Sequence, residues 1–150
     1  MTRIERSALA PFSSEQMFAL VNDVESYPKF LPGCQAVTLL NKNEDPVTGN
    51  GTMKAQLELG KFGVNQSFTT ENIFECPRTI KLHLVDGPFK RFSGEWIFES
   101  LREDACKVTF WLEFEFASRM LALAAGKLFE QVASEQVKAM CDRAAVIYSK

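Results

Sequence analysis

From Cys34 to Phe116 apolar residues recur at every second position, and from residue 119 to 148 the spacing turns helical. This switch constrains the fold more than any other feature of the chain. A run of strands, each with one apolar face, must cover that face, and the long C-terminal element is the means of covering it. Met53, Ala55, Leu57 and Leu59 alternate with Lys54, Gln56 and Glu58. After a turn at Gly60-Lys-Phe-Gly63, Val64, Gln66, Phe68, Thr70, Asn72 and Phe74 share a face. Pro77-Arg78 leads into Ile80, Leu82 and Leu84, with Lys81 and His83 pointing the other way. Beyond the Asp86-Gly87-Pro88 turn come Phe92, Gly94, Trp96 and Phe98, then Val108, Phe110, Leu112, Phe114 and Phe116. Trp111 is out of place, on the polar side with Glu113 and Glu115. Gln35 to Lys42 reads as an earlier strand, with a polar hairpin loop after it at 43–51.

Upstream, Thr2 to Ala10 reads as an edge strand that Pro11 stops. Ser13 as N-cap, Gln16 three residues later and a Phe12/Met17 staple then start a helix. Met17, Phe18, Leu20, Val21 and Val24 fall on one of its faces, and Pro28 and Pro32 break the next segment into short turns. In the C-terminal helix Gly126 predicts a kink or a break. Past it the apolar line runs Phe129, Val132, Ala133, Val137, Met140, Ala144 and Ile147.

The 150 residues suffice for one domain, 1–150, with a single core. Thirteen Phe suit a thick core or the wall of an apolar cavity, because the ring buries a large area and needs no hydrogen-bond partner. A net charge of -2 weighs against nonspecific binding to nucleic acid, and no DNA partner is expected. Cys34, Cys76, Cys106 and Cys141 are widely spaced and His83 is the one histidine, poor material for a metal site. The thiols are expected as buried, unpaired hydrophobes. With no apolar run of spanning length and a charged N-terminus, the chain is expected in the cytoplasm. Triad chemistry would need a base, and His83 faces away from the apolar side. The Glu113/Glu115 pair reads as a solvated stripe, and no glycine-rich phosphate loop opens a helix. An enzyme is not expected.

Val21-Asn-Asp-Val-Glu-Ser-Tyr-Pro-Lys-Phe-Leu-Pro-Gly-Cys34, with Asp86-Gly-Pro-Phe-Lys90 and Gly94-Glu-Trp-Ile-Phe98, resembles the signature of a START-like family. That family holds the coenzyme Q-binding proteins and the bacterial ribosome association toxin, within the polyketide cyclase/dehydrase and lipid transport superfamily. The resemblance spans Ile4 to Tyr148. It implies an α+β helix-grip (Bet v 1-like) fold: two short helices after strand 1, then a curved antiparallel sheet of six to seven strands around a long C-terminal helix. Mitochondrial members tend to carry Trp where this chain has Gly33, which aligns it with the bacterial branch.

The resemblance further implies a cavity between sheet and helix, opening near the early helices and hairpin loops. It holds ubiquinone or another polyprenyl lipid in support of respiration, and no cofactor is required. The expected walls are Phe68, Leu84, Phe92, Trp96, Phe110, Leu112, Phe114, Phe129, Val132 and Met140, with Tyr27, Phe30, Leu31 and Pro32 at the mouth. Gln66, Asn72 and Gln136 are the polar groups expected to point inward, and amides bind more naturally than they shuttle protons. Transient contact with a membrane accompanies such a ligand. The alternative is an interaction protein that binds the large ribosomal subunit and blocks subunit association, with Lys54, Lys61, Lys90 and Arg91 converging at hairpin ends.

Overall fold

The structure, a computed structural model, describes residues 1–61 and 63–149, with Val64 described by its backbone alone. Phe62 of the expected 60–63 turn and the side-chain direction of Val64 therefore lie outside the described residues. In chain order the elements are β1 (Thr2–Ala10), α1 (Ser14–Asn22), a 3-10 helix (Val24–Lys29), β2 (Cys34–Glu44), β3 (Gly51–Lys61), β4 (Val64–Glu75), β5 (Thr79–Asp86), β6 (Phe89–Arg102), β7 (Ala105–Phe116) and α2 (Arg119–Tyr148). The strands form one antiparallel sheet in the order β1-β7-β6-β5-β4-β3-β2, which is a meander with β1 added beside β7. This is the helix-grip arrangement, with β1 on an edge as its mixed pattern predicts.

The local signals act as expected at the start of α1. Ser13 accepts from the Gln16 backbone N–H at 3.1 Å, and Gln16 Oε1 accepts from the Ser13 N–H at 3.0 Å, closing a capping box. Ser118 caps α2 by accepting from the Leu121 N–H at 3.1 Å. The stripe that α2 buries against the sheet is Ala125, Leu128, Phe129, Val132, Ala133, Val137, Met140 and Ala144.

Two expectations need correction. Gly126 neither kinks nor divides α2: the helix is continuous, and a Cβ at this position would meet nothing within 4 Å. Glycine there costs helix propensity, about 1 kcal/mol relative to alanine, without forcing a break. Ile147 lies off the buried stripe, 39% exposed. Tyr148 turns inward instead, its hydroxyl donating to the Gln16 carbonyl at 2.9 Å and its ring 5.9 Å from Phe12. Trp111 is on the outer face, where Arg3 lies 5.0 Å from its ring and its indole N–H donates to Glu95 at 3.2 Å. No helix covers it.

The Pro-bounded corner after the 3-10 helix is pressed against α2 at one residue. Gly33 has φ +84°, its carbonyl accepts from the Gly60 N–H at 2.9 Å, and an added Cβ would stand 2.7 Å from Val132 Cγ2. Backbone strain and steric overlap together require glycine there. The corner thereby brings Tyr27 and Leu31 under the helix.

Candidate functional site

Sheet and helix do not meet completely. Between them lies a hollow walled by β3 (Leu57, Leu59), β4 (Phe68, Thr70, Asn72), β5 (Leu82), β6 (Phe92, Trp96) and β7 (Phe110, Leu112). The corner adds Val24, Tyr27 and Leu31, and α2 adds Phe129, Val132, Ala133 and Gln136. The interatomic space among these side chains is about 600 Å³, part of it open to solvent, but the cavity wide enough for a water-sized sphere is about 50 Å³. That is room for a few water-sized groups, well below the roughly 300–1,000 Å³ of pockets that enclose whole ligands. The cavity is thus apolar as expected and narrower than a polyprenyl tail requires.

Ten of the residues expected around the ligand lie together here: Tyr27, Leu31, Phe68, Phe92, Trp96, Phe110, Leu112, Phe129, Val132 and Gln136. Five do not. Phe114 and Met140 are plain core, 2% and 0% exposed. Phe30 is half-buried beside Tyr27 and 5.4 Å from the Arg143 guanidinium carbon, Pro32 is exposed, and Leu84 is half-buried near the β5–β6 turn. Sequence reasoning missed Val24, Leu57, Leu59, Thr70, Leu82 and Ala133 as walls, although the alternation had placed Leu57, Leu59, Thr70 and Leu82 on the inner face.

Every side chain lining the cavity is uncharged. Its polar groups are Tyr27, Thr70, Asn72 and Gln136; Gln66 is absent from this wall and, half-buried, borders the adjoining interior space next to Leu59 and Phe68. Thr70 Oγ1 donates to Asn72 Oδ1 at 2.9 Å, both residues being buried. Oδ1 keeps a second lone pair and the amide N–H groups of Asn72 remain as donors, while the Gln136 amide supplies both donor and acceptor. Tyr27 spends its proton on the Val21 carbonyl. Burial, reinforced by Cys34 and Asp23, holds its ionisation far above the ordinary tyrosine range, so it stays neutral. The arrangement can orient an oxygen of a small head group; among the described lining residues there is no carboxylate, imidazole or amine.

One end of the cavity is closed by aromatic rings. Phe129 of α2 stands 5.8 Å from Phe68, 4.8 Å from Phe89, 6.2 Å from Phe92 and 4.7 Å from Phe114. Most of these contacts are edge-on or tilted, the geometry that aromatic quadrupoles favour. Beyond them is a second, smaller hollow of about 10 Å³ bounded by Pro88, Phe116, Ala125 and Leu128, which shares Leu59, Phe68 and Phe129 with the first.

The four cysteines are free thiols, Cys34 and Cys106 buried as expected but Cys76 and Cys141 only half-buried. Burial pushes Cys34 and Cys106 up to about 11 from a usual value near 9. An unfolded chain ionises these thiols first, so their stabilising contribution is complete below about pH 8.5 and disappears as pH rises through the folded value. Tyr27 adds to the loss above about pH 10. Denaturant midpoints measured from pH 8 to 11 should fall steadily; a constant midpoint contradicts this reading.

Of the four basic residues expected to converge at hairpin ends, three lie at one end of the sheet and Lys54 does not. Lys54 sits in mid-strand opposite Asn41 and Glu71, while Lys61 ends β3 and Lys90 and Arg91 begin β6, with two strands between. Among the described residues no helix is long and apolar enough to cross a membrane.

Comparison with known proteins agrees with this architecture. The ribosome association toxin RatA of Vibrio cholerae is 45% identical over 150 residues, covering 100% of both chains. The mitochondrial coenzyme Q-binding protein of Schizosaccharomyces pombe is 28% identical, covering 93% of this chain and 85% of its own. The solution structure of an 18 kDa protein of Caulobacter crescentus is 29% identical with a TM-score of 0.75, covering 100% of both. The family model described as polyketide cyclase / dehydrase and lipid transport matches residues 10–141, and the chain belongs to that family.

Proposed function

We propose that this protein is a nonenzymatic binder of a polyprenyl lipid of the ubiquinone class, holding its tail under α2 and its head group at Asn72 and Gln136. The observation that carries the reading is an uncharged hollow lined by a buried amide, Asn72, and a half-buried one, Gln136, able to orient an oxygen. A family description that includes lipid transport, and a relative named for coenzyme Q binding, support it. Burying about ten methylene equivalents of tail would contribute roughly 8 kcal/mol gross, at about 0.8 each, against about 1 kcal/mol net from one amide hydrogen bond. The tail dominates affinity. Because the closed cavity is narrow, loading requires the aromatic closure at Phe68 and Phe129 to part and join the two hollows. Mass spectrometry of an organic extract of freshly purified protein tests this: a stoichiometric polyprenyl quinone is expected, and a lipid-free extract from protein made in a quinone-producing host contradicts it.

A second reading is association with the large ribosomal subunit, favoured by the full-length match to proteins named ribosome association toxin. It predicts cosedimentation with large subunits that weakens as salt rises. An unchanged subunit profile at low salt removes it.

A further inference from the structure

The outer face of α2 changes character along its length. In its first turns Met120 and Leu123 are 79% and 82% exposed, with Ala124 exposed beside them. Spacings of three and four put these side chains on one face, turned away from the buried Ala125 and Phe129, with the buried Leu128 flanking it. Farther on, the same outer face carries Glu130, Gln131, Ser134, Lys138 and Asp142, and Lys138 pairs with Asp142 at 2.7 Å. The two apolar tips are bracketed by exposed Arg119 and Lys127. Met1, 66% exposed, borders an adjoining cleft with Phe116, Arg119 and Ala122, where Glu115 is the one carboxylate. Large apolar side chains held in water on a helix tip, with cations on both sides, form an arrangement that inserts shallowly into the headgroup boundary of a bilayer.

The geometry points to this tip of α2 as a docking site for the surface of an anionic lipid bilayer. The inference rests on the lipid-binding reading above and adds where exchange takes place. Directly beneath the tip, Ala125 and Leu128 line the smaller hollow, which is separated from the main cavity by the shared side chains Leu59, Phe68 and Phe129. A lipid leaving the bilayer at Met120 and Leu123 thus faces the aromatic closure of the cavity. A protein partner fits less well, since a two-turn convex tip offers far less than the roughly 1,000 Å² of a stable interface, whereas interfacial insertion needs a few apolar side chains and nearby cations.

Flotation of the full chain with vesicles tests the site, using phosphatidylcholine alone and phosphatidylcholine with about one third phosphatidylglycerol. Wild-type protein should float with the anionic vesicles at low salt and progressively less as salt rises. The Met120→Ser/Leu123→Ser double variant should bind at least about tenfold more weakly. Arg119→Gln/Lys127→Gln should lose the preference for anionic vesicles. All four side chains are exposed, and unchanged thermal melts verify that the variants fold. Wild-type protein that does not float, or a Ser double variant that floats as well as wild type, overturns the proposal. So does self-association that Met120→Ser/Leu123→Ser abolishes while vesicle binding is unaffected, which would assign the tip to a second copy. The organic extract separates the two readings: protein that carries lipid but does not float refutes the docking site alone, and protein that floats but is lipid-free refutes the carrier alone.

Discussion

Phe129→Ala lowers the stability of this protein by about 3–5 kcal/mol, among the largest effects of any single truncation in the core. The ring is 7% exposed and is the point where α2 meets β4, β6 and β7, through Phe68, Phe89, Phe92, Phe114 and Phe116. Its removal takes away the transfer free energy of a phenyl group and leaves a void that neighbours held by the sheet cannot collapse to fill. It also joins the two hollows. Equilibrium denaturation should therefore show a large loss of stability, and the variant should take up a bulkier ligand than the parent. A loss below about 1 kcal/mol would mean that the cluster does not hold the helix to the sheet.

Ala133→Leu acts on the ligand and leaves stability nearly alone. Ala133 is 2% exposed and lines the cavity, so a leucine there projects into existing space. Filling a void recovers contacts that the empty cavity forfeits, and stability should change by less than about 1 kcal/mol in either direction. Ligand retention should fall by at least about tenfold, because the isobutyl group occupies the position of the tail. Denaturation midpoints and quantified lipid in the extract measure the two effects on one sample. If the variant retains as much lipid as wild type, the ligand lies elsewhere.

Much of this fold is written locally. The alternation from Met53 to Phe116 places Phe68, Trp96, Phe110 and Leu112 inward without reference to any other part of the chain, because a strand has only two faces. The Ser13/Gln16 box marks the start of α1 in the same local way. What was not legible depends on curvature and on which partner wins. Phe114 and Met140 face inward as surely as Leu112, yet both are packed into the core and neither lines the hollow. Leu57, Leu59 and Leu82 border the hollow because the sheet stands off from the helix there, a distance that period-two spacing does not encode. At the end of α2, Ile147 and Tyr148 compete for the buried face, and a single hydrogen bond to Gln16, distant in sequence, favours Tyr148.

The central claim is that the hollow beneath α2 receives a lipid, and Trp96 reports on it most directly. Trp96 is 2% exposed and in the wall, while Trp111 is outside on the sheet, so a Trp111→Phe background leaves one emitter inside the cavity. Titration with a ubiquinone should quench that emission to saturation near one equivalent, and Ala133→Leu in the same background should abolish the response. Emission that stays unchanged, or declines without saturating and equally in both proteins, would contradict the account.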